Sequence, residues 1–283
     1  MAIMAIYDVF PFFNELDILE IRLNTLDEVV DYFLITEGTT TFSGNSKRLF
    51  LSENIELFRK FKEKIIIQVV ELPNLDPFGR DDYQKNHAKI ILNERLNDSD
   101  LILCGDVDEI PKPESILNAI KKLDESIKIA HFAQNLNQHY LNLKENSGTI
   151  LSFAGEYKNI IDKKWLGTTL SKWSYAKQFA MNELRYPMHK EVGCRIEDGG
   201  WHFSWVGGEN GLSIEERAKI KFASTSHQEF NNRKVLKKIK KRLSKNKDII
   251  GRKHANFETI TDLNYLPKYV QENIAKFDHL LAK

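Results

Sequence analysis

The stretch ILCGDVDEIPKP, residues 102–113, decides how the rest of the chain reads. An apolar run ends in three carboxylates, Asp106, Asp108 and Glu109, and is stopped by Pro111 and Pro113. Proline cannot donate to a sheet ladder and fixes its own φ, so a strand gives way to a turn here. Two aspartates one residue apart at such a strand end can turn toward one cation, whereas without one they repel each other in a shared cleft. Hard carboxylate oxygens suit Mg²⁺ or Mn²⁺, which keep positions open for water and substrate phosphates. The same three acids also read as a solvated loop capping a helix near Glu114, and Asp-x-Asp alone does not choose between these.

Working outward, the segments before residue 102 alternate two periods. Short β-branched or aromatic runs at 2–10, 29–36, 65–72 and 100–104 read as strands buried on both faces. Between them, 15–26, 53–62 and 81–96 carry apolar residues at helical spacing. The order βαβαβαβ predicts an α/β fold with a mostly parallel, Rossmann-like sheet and helices on both faces. In such sheets ligands bind beyond the carboxyl ends of the strands. Asp8, Glu37 and Asp106 fall at or near such ends. Farther on, 127–133 and 140–143 read as strands around a polar turn, AQNLNQ (133–138), and 148–211 reads as loop-rich. From Leu212 the pattern turns helical, so the expected organisation is a catalytic unit over 1–230 with a helical extension over 231–283 packed on it.

Composition excludes several classes. Of 283 residues, 42% are hydrophobic and 29% charged, ordinary values for a globular protein with a real core. The formal charge of +1 gives no global field for nucleic acid, so none is expected as a partner. Cys104 and Cys194 are the only cysteines, which suits free thiols in a reducing compartment. The apolar start MAIMAIYDVFPFF has no basic leader and carries Asp8, so it reads as a buried strand of a cytoplasmic protein.

The motifs YDVFPFFNELDILEIRL (7–23), VDYFLITEGTTTFSG (30–44), DDYQKNHAKI (81–90), GDVDEIPKP (105–113), GGWHFSWVGG (199–208) and KFASTSHQEF (221–230) together resemble glycosyltransferase family 17. This is the family of the β-1,4-mannosyl-glycoprotein N-acetylglucosaminyltransferase that adds bisecting GlcNAc. The resemblance implies a GT-A fold, a UDP-sugar donor such as UDP-GlcNAc, a divalent metal, and transfer with inversion. The sequence departs from the anchored Golgi relatives, which shifts the expected acceptor toward a cell-surface glycan precursor.

The resemblance places Asp106 and Asp108 on the metal. It adds His202 as a third ligand, because other GT-A enzymes complete the site with a late histidine; imidazole tilts the choice toward Mn²⁺. His202 also reads as a core histidine between Trp201 and Phe203. Lys221 is a candidate for holding the departing diphosphate, since a fixed ammonium stabilises charge developing on a leaving group. It also reads as an exposed helix charge, and His227 competes for the metal. Asp8 and Glu37 are candidates for the uridine ribose or base, with Thr36 beside them, while Asn14 reads as a helix cap.

Inverting transfer needs a general base. Glu209, in the glycine-rich VGGEN, is preferred over Asp198 and Glu197, and Asp108 counts among the catalytic residues as metal ligand. Trp165, Trp173, Trp201 and Trp205 offer apolar faces on which a sugar ring can stack, or belong to the core. The segment 232–254 carries eleven Lys/Arg against one Asp. Its apolar stripe makes 233–247 an amphipathic helix suited to anionic headgroups at the inner membrane face, near a lipid-linked glycan acceptor, or a solvated helix packed on the domain. Two other functions fit the same layout: a sugar-nucleotide pyrophosphorylase and a non-catalytic glycan-binding protein. Against the first, no Lys or Arg follows the first strand until Arg22.

Overall fold

The computed structural model describes residues 4–147, 164–185, 189, 191–209 and 211–283. Among these, the strands are β1 (Ile6–Phe12), β2 (Tyr32–Gly38), β3 (Ile65–Val70), β4 (Leu101–Cys104), β5 (Glu109–Pro111), β6 (Ile129–Gln138), β7 (Leu143–Glu145), β8 (Lys164–Trp165), β9 (Thr169–Lys172), β10 (Gly193–Ser204) and β11 (Phe257–Thr259). The α-helices are α1 (Leu16–Leu26), α2 (Phe50–Glu53), α3 (Pro77–Arg95), α4 (Pro113–Lys122), α5 (Trp173–Ala176), α6 (Met181–Leu184), α7 (Ile214–Ser224), α8 (Arg233–Leu236), α9 (Ile239–Leu243), α10 (Lys268–Glu272) and α11 (Ile274–Phe277). None is long and apolar enough to cross a membrane.

The strands form one mixed sheet whose centre is parallel. β3, β2, β1 and β4 lie side by side in parallel, β9 runs antiparallel between β4 and β6, and β10 runs parallel to β6 on its other edge. This is the α/β, Rossmann-like layout read from the period alternation. Side-chain alternation along the strands divides the core. Ile6, Phe10 and Phe12 of β1, Phe33 and Ile35 of β2, and Leu101 and Leu103 of β4 pack beneath α1. Tyr7, Val9, Leu34, Ile102 and Cys104 face the opposite layer with Ala88 and Leu92 of α3.

Three local expectations change. AQNLNQ (133–138) is not a turn but the second half of β6, paired along its length with β10. Its polarity misled because polar side chains find partners inside the sheet: Asn137 donates to the Leu141 carbonyl at 2.7 Å and accepts from the Tyr265 hydroxyl at 2.7 Å. Asn14 does not cap α1; the Glu15 carboxylate instead accepts from the Phe13 and Asn14 amides at 3.3 and 3.0 Å. Residues 231–283 are not wholly helical, since β11 pairs antiparallel with β7 and extends the sheet edge. Tyr269 and Lys276 then tie the end of the chain to Glu20 of α1. Part of the loop-rich expectation, 148–163, lies outside the described residues.

Candidate active site

The turn after β4 is built by backbone demand. The Asp106 amide donates to Glu109 Oε2 at 3.0 Å, and the Glu109 amide donates back to the Asp106 carbonyl at 3.0 Å. Beneath it lies Arg22, wholly buried, whose Nη1 donates to the carbonyls of Asp106, Val107 and Glu109 at 2.9, 3.3 and 2.8 Å. Its other edge grips both carboxylate oxygens of Asp8 at 2.7 and 2.6 Å. Arg22 thus carries the acidic turn on a bidentate ion pair inside the core. Burial, the largest influence on Asp8, raises its pKa, and the guanidinium opposes it.

From that turn the side chains enter a cavity of about 790 Å³. Asp106 is clamped by Lys85 at 3.1 Å and Arg185 at 2.8 Å. Lys85 is shared with Asp81 at 3.0 Å, and Arg185 also reaches Glu109 at 2.6 Å. Burial pushes the Asp106 carboxyl up, but the two cations outweigh it and hold the group well below the usual carboxylate range. Glu109, wholly buried, completes the cluster by accepting from Trp165 Nε1 at 2.7 Å. Gly167 is required beside it, because a Cβ there would lie 2.1 Å from Glu109 Oε1.

Asp108 points elsewhere. β5 pairs antiparallel with β10 in a register that sets His202 opposite Glu109. His202 Nε2 then stands 3.6 Å from Asp108 Oδ1, too far for a hydrogen bond, and its Nδ1 has no partner. The Trp165 ring lies on the imidazole with centroids 4.3 Å apart. Lys221 closes this end: a reciprocal Ser213–Glu216 cap starts α7, Ala218 and Phe222 pack inward, and Lys221 faces the cavity and bonds Glu15 at 2.6 Å. Burial lowers its pKa, but Glu15, Asp108 and Asp106 outweigh that and keep the ammonium above its usual range. The Asp108 carboxyl is pushed up by burial and drawn below its usual range by His202 and Lys221.

Asp108 and His202 fit a divalent cation. Their 3.6 Å separation is less than twice a metal–ligand distance of about 2.1 Å, and the imidazole presents its Nε2 toward Asp108. The oxygens of Asp106, the other expected ligand, are paired with Lys85 and Arg185. Among the described residues no three His, Cys, Asp or Glu side chains cluster to hold an ion. A cation here would complete its shell with water and substrate phosphate, as Mg²⁺ commonly does.

The other predicted residues scatter. Asp8 is not at a strand end: β1 runs on through Phe12, and Asp8 sits mid-strand opposite Phe33 and Leu103, on the face beneath α1. Glu37 is wholly buried and accepts from the Leu51 and Ser52 amides at 2.8 and 3.1 Å, holding the start of α2. Asp198 is exposed on the bulge of β10, paired with Lys112 at 2.5 Å, and Glu209 is half-buried, 3.9 Å from Arg48. Neither lines the cavity. Asp198→Asn is therefore expected to leave turnover within about twofold, as for other surface changes; a steady-state assay checks this.

Trp173 and Trp201 are core residues, whereas Trp165 and Trp205 line the cavity. Four cavity cations escaped the sequence reading as site residues: Lys47, Lys85, Arg185 and Arg252. The Asp81–Lys85 spacing of four on a helical pattern was the one available signal. Cys104 is buried and free, its thiol pushed up to about 12 by burial, and serves packing rather than chemistry.

A cavity with carboxylates on a strand tip and ammonium and guanidinium groups on its walls has the charge to take a multiply anionic ligand. The chain belongs to glycosyltransferase family 17, whose model matches residues 2–283. Among solved structures, glucosyl-3-phosphoglycerate synthase of M. tuberculosis superposes with a TM-score of 0.40 at 11% identity, covering 78% of this chain and 79% of that one. The 4-diphosphocytidyl-2C-methyl-D-erythritol synthase of Anaerococcus prevotii does so at 0.40 and 13%, covering 78% and 95%. Likeness at that level carries no argument about chemistry. No curated protein matches the chain.

Proposed function

We propose that this glycosyltransferase moves a sugar, GlcNAc in the first instance, from a UDP-sugar to a hydroxyl of a glycan acceptor such as a cell-surface glycan precursor, with inversion. The observation that carries the reading is the convergence of Asp108, His202 and Lys221 on one end of the cavity, against a clamp of Lys85 and Arg185 on Asp106. Asp108 and His202 would hold Mn²⁺ or Mg²⁺, which when bound neutralises charge on a diphosphate. Lys221, held by Glu15, supplies a fixed positive charge where the leaving group departs. Lys85 and Arg185 fix Asp106, so the acidic turn is ordered before the donor arrives and no reorganisation is needed at the moment of transfer. Trp165 keeps the His202 ring in place.

The test is a panel of UDP-sugars incubated with the protein and Mn²⁺ and scored for slow release of UDP. UDP-GlcNAc is expected to be hydrolysed fastest, and chelation is expected to stop the reaction. Release of UTP with added diphosphate would instead identify a pyrophosphorylase, and metal-independent glycan binding without UDP affinity would identify a non-catalytic protein.

A further inference from the structure

Residues 231–247 contain no carboxylate, yet nine of them are Lys or Arg. α8 and α9 turn Val235 and Ile239 inward against Ala218 and Phe222 of α7 and against Ile249. Eight of the nine basic side chains are thereby exposed, Arg242 being the exception, held by the Ile249 carbonyl. Elsewhere surface cations find acids: Arg48 with Glu53, Lys60 with Asp27, Lys219 with Glu215, Lys276 with Glu20. Among the described residues none of these eight has an acidic partner, so their charges stand unneutralised on a protein whose net charge is only +1. The field is local to this face.

The face adjoins the cavity mouth. Phe230, three residues before α8, lines the cavity, as do His227 and Phe78. Phe78 is 50% exposed with its ring 5.1 Å from His227, and Leu75 nearby in the chain is 43% exposed. We propose that this face rests on an anionic phospholipid surface, the basic groups among the headgroups and the apolar rim dipping below them. Seven of the eight exposed cations are lysines, compact hydrated charges that respond to a field rather than grip a phosphate in a bidentate fork. With apolar rings beside them, that combination fits a lipid interface better than a nucleic acid. The cavity then opens beside the membrane, where a lipid-linked acceptor would be presented; that last clause rests on the transferase reading, but the docking does not.

The test is co-sedimentation of the full chain with phosphatidylglycerol-rich vesicles and with phosphatidylcholine vesicles, without donor. Binding is expected to the anionic vesicles only and to weaken steeply with salt. The triple variant Lys237→Glu, Lys240→Glu, Lys241→Glu is expected to lose on the order of a hundredfold in partitioning, while its melting temperature and vesicle-free donor turnover stay unchanged. Equal binding to both vesicle types, a triple variant that partitions like wild type, or displacement from the vesicles by an oligonucleotide at equal phosphate would each overturn the proposal. Vesicle binding by a protein that turns over no donor would leave the proposal standing and remove the transferase reading alone.

Discussion

Asp108→Asn is expected to lower donor turnover by about two to three orders of magnitude while leaving the melting temperature nearly unchanged. Among the described residues the side chain accepts no short hydrogen bond, and His202 Nε2 stands 3.6 Å away. Its removal therefore leaves no buried donor newly stranded. What is lost is the negative charge that faces His202 and Lys221 in the cavity. Titration calorimetry with UDP, with and without Mn²⁺, separates the cause: the variant should lose the metal-dependent part of UDP affinity. Near-normal turnover of this variant at saturating Mn²⁺ would sink the assignment. Asp106→Asn should behave differently, because it leaves Lys85 and Arg185 with less compensation and so costs stability as well as activity.

The second large effect is on folding. Arg22→Ala strands the Asp8 carboxylate in the core and releases the three carbonyls that define the acidic turn. Breaking a buried pair by removing one partner costs about 3–5 kcal/mol. For a chain of this size the melting temperature should fall by roughly 10 °C, read by calorimetry. The double variant Asp8→Leu, Arg22→Met removes both charges and should recover part of that loss without recovering turnover, since the three bonds from Arg22 to the carbonyls of the turn are then absent. A single Arg22→Ala variant melting within about 2 °C of wild type would show that Arg22 is not the support described.

These two residues mark where sequence reading stops. Asp8 and Asp108 are both aspartates in or just after apolar strands, and both were candidate ligand contacts. One alternation step decides between them: Asp8 shares a face with Ile6 and Phe10 and goes under α1, while Asp108 lies past the end of β4 and opens into the cavity. Glu37, the other strand-end candidate, is likewise taken up inside, since the start of α2 supplies amides within its reach. Lys85 and Arg185 went unread because each meets Asp106 from a distant point of the chain, 21 and 79 residues away.

The parallel centre of the sheet, the helices between its strands, the acidic strand tip and the family all follow from local pattern and motif order, because hydrophobic period and turn chemistry act over a few residues. Which acid is neutralised in the core, which faces the cavity and which cations meet it were decided only on folding. Those outcomes depend on strand register and on contacts between distant segments, and the electrostatics of a buried group is set by whatever the fold brings within a few ångströms of it.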